Sequence, residues 1–256
     1  MPVNIIMVFI LAAASASLGA LIGAGGGFIF VPIMLYLGYP PQQAVSTSLV
    51  MVFFNALSSS SVYYRQKRLN LTRAASLGVL TLPGAVIGGY TLTYLNPGTF
   101  KLIFGAFLAS AALYMVVRSG HRSSTVFRAD EMDRAPRIKL GYPLAAASGF
   151  VSSMFGVGGG ILLVPAFIHI INLPTHIATA TSQFITAFAS GFGFTTITSL
   201  GGADVALLPA AALAGVAGVQ AGARISKRVR ARIIEIIAGL ALFTVAVNLI
   251  AGSLTA

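Results

Sequence analysis

Cysteine is absent from the 256-residue chain, so disulfides, thiolate chemistry and Cys-based metal sites are excluded. Only five residues are acidic. None lies in the middle of an apolar segment, which leaves the usual carboxylate proton relay of membrane pumps without a candidate. There is no Ser-His-Asp spacing, no phosphate-binding loop and no metal-ligand cluster. The chain is therefore expected not to be an enzyme, with no catalytic residue, no metal and no cofactor. Charged residues make up 8%, where soluble domains carry about 25%. What is present instead is apolar, with 57% hydrophobic residues and a mean hydropathy of +0.91. A soluble core of this length cannot hide so much apolar surface, so the bilayer is the expected solvent. An all-α integral membrane protein follows. The net charge of +11 suggests nucleic acid at first sight, but that reading needs a basic face on a soluble fold. Here the charges lie between apolar segments, as positive-inside sorting requires. The expected partners are the lipid bilayer and a small anionic substrate, with no nucleic acid; a homo-oligomer is left open.

Residues 1–22 imitate a signal peptide, but such a peptide needs a positive n-region and no Lys or Arg precedes Arg65. The segment reads as mature protein. Further apolar segments fall near 27–38, 41–62, 74–94 and 99–117, then 141–156, 160–172, 174–200, 204–224 and 231–251. A crossing takes about 20 residues, so 27–38, 141–156 and 160–172 are short for one.

The run Gly23-Ala24-Gly25-Gly26-Gly27-Phe28-Ile29-Phe30-Val31-Pro32 returns as Gly156-Val157-Gly158-Gly159-Gly160-Ile161-Leu162-Leu163-Val164-Pro165, an offset of 156 − 23 = 133. Pro40 matches Pro174 at an offset of 134, and Thr47-Ser48 then matches Thr181-Ser182. Gly84 and Gly88 match Gly218 and Gly222, and Gly105 matches Gly239. The chain thus divides into a first membrane repeat, 1–117, a charged linker, 118–140, and a second repeat, 141–256.

Fifteen of the sixteen Lys and Arg fall in the loops 63–73 and 118–140 and in the stretch 224–232 around the loop 225–230, with Lys101 the exception. These loops are expected in the cytoplasm. By repeat position, 63–73 corresponds to Gly201-Gly202-Ala203, and 225–230 to Leu95-Asn96-Pro97-Gly98. Neither counterpart carries a positive charge. Equivalent loops on opposite sides are the signature of an inverted repeat. Each half then crosses an odd number of times, and both termini lie outside. Within each half the segments flanking the glycines form either a hairpin that enters and returns or a pair of short crossings. Three longer helices complete the half. The shortness of 141–156 and 160–172 favours the hairpin.

Glycines break helices, and in a membrane a break is tolerated where protein or water satisfies the freed backbone. Paired breaks in two halves point to a transporter's substrate site. Helices are expected to begin at Phe28 and Ile161, each offering free N–H groups and the positive end of the macrodipole. Gly25, Gly26 and Gly27, with Gly158, Gly159 and Gly160, let an anion approach the backbone closely. Small residues also serve close helix packing; the duplicated pair favours the site. Thr47, Ser48, Thr181, Ser182 and Gln183 lie about 10 Å down the following helices, with Asn55 about two turns deeper. Hydroxyls and amides donate to an oxyanion without fixing a counter-charge. The alternative for each hydroxyl is a bond back to the i−4 carbonyl. His169, His176, Gln42 and Gln43 read as helix-end or rim residues, and Lys101 and Glu235 as snorkelling ones.

The duplicated glycine-triplet-to-proline motif, the Pro and Thr-Ser of the next helix and the small-residue helices near 84–89 and 218–223 resemble the TauE/SafE family of sulfite exporters and organosulfur-anion permeases. The resemblance covers nearly the whole chain. It implies export of sulfite, sulfoacetate or a similar anion. Carried over by position, the implied site comprises Gly25 to Gly27, Thr47-Ser48, Gly158 to Gly160 and Thr181-Ser182-Gln183. Leu49 stands where the second half has Gln183, so the half-sites are not equivalent. The resulting expectation is a secondary transporter exporting a sulfur-containing anion across a bacterial inner membrane. The alternatives are a passive anion channel and an uptake permease for an organic anion.

Overall fold

The computed structural model describes residues 5–22, 25–118, 138–226 and 231–254. Gly23-Ala24, most of the charged linker and residues 227–230 lie outside them. All regular structure among the described residues is helical: α1 (Ile5–Ile22), α2 (Gly27–Tyr36), α3 (Pro41–Arg65), α4 (Leu71–Tyr94), α5 (Pro97–Arg118), α6 (Gly141–Phe155), α7 (Gly160–His169), α8 (Thr175–Ser199), α9 (Leu208–Ser226) and α10 (Ala231–Leu254). Pro41, Leu71 and Val205 open stretches long and apolar enough to cross a membrane.

Local chemistry sets the boundaries. Pro40 and Pro174 lie just outside α3 and α8 with extended backbone, and Pro41 takes the N-terminal position where its missing N–H costs nothing. Asn70 starts α4 three residues earlier than hydropathy alone suggests, because its side chain accepts from the Arg73 N–H at 3.2 Å. Both broken segments begin one residue before the expected Phe28 and Ile161, with the third glycine of each triplet inside the helix. A first-turn N–H has no intrahelical partner in any case, so glycine there forfeits no hydrogen bond.

Packing exchanges elements between the halves. α4 lies on α6, and α1 lies on α9; α3 packs on α8, and α5 on α10. The contacts correspond residue by residue. A Cβ on Gly84 would fall on the Ala146 carbonyl and one on Gly88 on that of Phe150. In the other half a Cβ on Gly218 would lie 3.0 Å from the Ala13 oxygen, and one on Gly222 2.7 Å from that of Ser17. Ala13 and Ser17 are the counterparts of Ala146 and Phe150 at the repeat offset of 133. These glycines let backbones touch, which is how helices associate in lipid.

The direction of the chain places the loops. Ser46, in the second turn of α3, donates to the Gly202 oxygen at 3.4 Å. Near the middle of α3, Phe53 lies against Gly191 of α8. The two helices therefore run antiparallel. Partial burial and, after it, the nearby carboxylate of Asp204 hold the Tyr39 phenol above its ordinary pKa, so the loop before α3 also sits at this end. Arg65, Lys67 and Arg68 follow the opposite end, about 28 Å away at 1.5 Å per residue from Ser46. α4, with 24 residues, returns the chain from there, which sets residues 95–96 at the end of Gly202.

Behind the second break, Phe155 stacks on Phe104 at 5.3 Å and on Phe107 at 5.0 Å. Burial of each such ring stabilises by roughly 1.5–3 kcal/mol, and it fixes the end of α6 just before Gly156.

Candidate functional site

The two broken segments meet inside the bundle. A Cβ on Gly27 would collide with the Gly156 carbonyl, and one on Gly25 would lie 3.8 Å from the Val157 oxygen. Sharp turns make this approach geometrically available: Gly25 and Gly26 have φ of 83° and 86°, Gly156 and Gly158 of 68° and 77°. Residues with side chains rarely adopt that region. All of residues 25–28 and 156–160 are buried.

Neither helix start has a side-chain cap. The Ile29 and Phe30 N–H groups both bond to the Gly26 oxygen, and those of Leu162 and Leu163 to the Gly159 oxygen. Among the described residues no acceptor takes the N–H groups of Gly27, Phe28, Gly160 or Ile161. Buried helix ends without partners are rare, because each orphan donor costs free energy. Four such donors lie at two positive helix ends, where free N–H groups and the macrodipole favour negative charge.

The polar residues sort into two groups. Ser48 donates to the Gly156 oxygen at 2.6 Å and so ties the halves together, leaving its lone pairs free. Asn55 donates through Nδ2 to the Ala16 oxygen at 3.0 Å, while its Oδ1 has no partner. In contrast, Thr47 Oγ1, Ser182 Oγ and both amide atoms of Gln183 are buried and have no partner among the described residues. Hydroxyls elsewhere behave as membrane helices usually require: Ser17, Thr91, Thr179, Ser190 and Thr196 each bond to the i−4 carbonyl. Thr181 is buried in the same turn as Ser182.

The structure adds groups that motif reading passes over. Ser60, Thr186 and Ser152 of α6 are buried, and their hydroxyls have no partner among the described residues. Thr186 stands four residues after Ser182, on the same face of α8, a spacing visible in the sequence. In the antiparallel register of Phe53 with Gly191, Ser60 falls level with Phe184, the residue after Gln183.

Gly26 and Gly159 differ in what limits them. A Cβ on Gly26 would strike the Ser15 backbone, while one on Gly159 would lie 3.3 Å from the Ser148 side chain. Gly26 is thus also a packing residue against α1. The rim residues Gln42 and Gln43 are half-buried, His169 is half-buried and His176 exposed; the side chains of Arg224 and Glu235 lie outside the described residues. A groove of about 770 Å³ lined by Val50, Phe53, Phe54, Ala187, Phe188 and Phe192 runs along the middles of α3 and α8. Its lining is apolar and includes none of the expected site residues, so it is no place for an anion.

The profile described as sulfite exporter TauE/SafE matches residues 8–249. The chain is 27% identical to "Probable membrane transporter protein YunE" of Bacillus subtilis, over 96% of this chain and 97% of the relative. It is 32% identical to "Probable membrane transporter protein MJ0441" of Methanocaldococcus jannaschii, over 79% and 70%. A Sinorhizobium relative, "Probable membrane transporter protein ORF9", is 27% identical over 90% and 86%. No solved structure matches at a significant level.

Proposed function

Because the chain belongs to the sulfite exporter TauE/SafE family, we propose that this membrane transporter exports a small sulfur-containing anion, sulfite, sulfoacetate or similar, from the cytoplasm. The observation that carries the reading is a pair of uncapped, buried helix starts, at Gly27 and at Gly160, in two broken segments that touch where Gly27 meets the Gly156 carbonyl. Dipoles and N–H groups there offset an anion's lost hydration without a buried cation. Gly25 to Gly27, Phe28, Gly158 to Gly160 and Ile161 supply backbone. Thr47 and Ser48 supply polar groups beside the α2 start, Thr181, Ser182 and Gln183 those of the other half, and Asn55 lies between them along α3.

The frame is two inverted repeats, 1–117 and 141–256, joined by the linker 118–140. The exchange of α4–α6 and α1–α9 contacts supports it, as does the separation of the 66–70 loop from its counterpart around Gly202 along α3. α2 and α7 have ten residues each, about 15 Å, half of a 30 Å hydrocarbon layer. Each is therefore the returning arm of a hairpin rather than a crossing. The basic loops face the cytoplasm of the inner membrane and the termini face outward. In intact cells, Arg68→Cys is expected to resist an impermeant thiol reagent and Ala203→Cys to react with it. Labelling of both from one side would sink the inverted frame.

Transport, rather than passive conduction, is tested by counterflow. Liposomes holding unlabelled sulfite are expected to accumulate labelled sulfite transiently, with a rate that saturates. A rate that rises linearly with concentration and ignores internal sulfite would make the protein an anion channel.

A further inference from the structure

We propose that the site takes a singly charged oxyanion that still carries an acidic O–H, and that Gln183 reads that proton. Hydrogen sulfite is the simplest sulfur anion of this class. The inference rests on the anion site proposed above and narrows what it accepts.

Gln183 is 1% exposed, and neither Oε1 nor Nε2 has a partner among the described residues. Whichever way the amide is turned, one end donates and the other only accepts. A fully deprotonated oxyanion presents acceptors alone, so its oxygen would face the Gln183 carbonyl with two lone pairs opposed. An oxyanion with one O–H satisfies both ends: the O–H donates to Oε1, and a second oxygen accepts from Nε2. Its remaining oxygen is left for the N–H groups of the α7 start: Gly27 lies against Ser48, and Gly160 and Ser182 are their counterparts in the repeat.

The surroundings support the same choice. Ser182, Thr186 and Ser60 are buried with unpartnered hydroxyls, and hydroxyls both donate and accept. No Lys, Arg or His is buried among the described residues. Without a counter-charge, desolvating an ion costs more as the square of its charge, so a monoanion is favoured over a dianion. The device occurs in one half only. Leu49, fully buried, occupies the place of Gln183, and Phe194 that of Ser60 by the offset of 134. It lies on the half of α3 and α8 nearer Arg65, so the proton is read where the anion enters from the basic side. Titratable and charged groups on α8 and on the helices packed against it stand in the terminal two turns. They are His176 on α8; Tyr63, Tyr64 and Arg65 on α3; Arg73, Tyr90 and Tyr94 on α4; Tyr142 on α6; and His169 on α7. The pH effect expected is therefore the ligand's own.

Equilibrium binding to the purified full chain tests this, with sulfite and methanesulfonate each measured below and above the pKa at which hydrogen sulfite loses its proton. Methanesulfonate is a monoanion without O–H in both arms. Sulfite is expected to bind at least about tenfold more tightly in the acid arm, the effect of one hydrogen bond to a charged group. Methanesulfonate is expected to show no pH dependence and to bind more weakly than hydrogen sulfite. Gln183→Leu, which copies the first half, is expected to bring the two anions to within about twofold. Equal sulfite binding on both sides of its pKa, or discrimination that survives in Gln183→Leu, would overturn the role of Gln183. If neither anion binds the unmodified protein in either arm, the anion site itself falls and this inference with it.

Discussion

Gln183→Glu is expected to abolish anion binding at neutral pH while leaving the protein folded. Glu has nearly the shape of Gln, and the buried wall around residue 183 is unchanged by the exchange. What changes is charge. A carboxylate about 4 Å from a bound monoanion repels it by about 4 kcal/mol at an effective dielectric constant of about 20. That is about a thousandfold in affinity. The introduced carboxylate is also drawn to the unpartnered N–H groups of the α7 start, as a tethered occupant of the site. The variant's thermal stability is therefore expected to equal or exceed that of the parent. Burial without a cation raises a carboxyl pKa, so acidification neutralises the introduced side chain and restores binding. Sulfite titration with thermal unfolding in parallel checks both parts. A Gln183→Glu variant that binds within a few-fold of the parent at neutral pH would show that residue 183 does not face the anion.

Much of the fold was legible because its determinants are local. Glycine triplets and prolines act on their own backbone, so the breaks and the starts of α2, α3, α7 and α8 fell within one or two residues of where they were expected. Gln183 stood out because the otherwise matching half carries Leu49. The partnerships were not legible, because they join residues far apart in sequence. Ser48 reads as a ligand group, yet its proton is taken by Gly156, 108 residues away. Asn55 uses its amide nitrogen on Ala16 of α1. Gly26 is pressed on the Ser15 backbone, so a bulky residue there tests the fold as much as the site. Ser60 and Thr186 escaped notice because nothing in a single hydroxyl's neighbourhood tells whether it bonds back to its own helix.

Absences bear on energetics as well. The five acidic residues lie in the linker, at Asp204 and at Glu235, so no mid-membrane carboxylate offers itself as a proton carrier. Outward movement of an anion needs none. A cytoplasm negative by about 100 mV favours the exit of one negative charge by about 2.3 kcal/mol, which sustains about a fifty-fold gradient. A singly charged substrate with its proton attached moves that one charge and no more. Export is therefore expected to be electrogenic and driven by the membrane potential.

The most direct measurement is efflux of labelled sulfite from liposomes containing the purified protein. Potassium and valinomycin impose an inside-negative potential, with pH and sodium equal on both sides. The account predicts that efflux accelerates with the imposed potential, slows when its sign is reversed and stops in Gln183→Glu. Efflux that ignores the potential and follows an imposed sodium or pH gradient would contradict it.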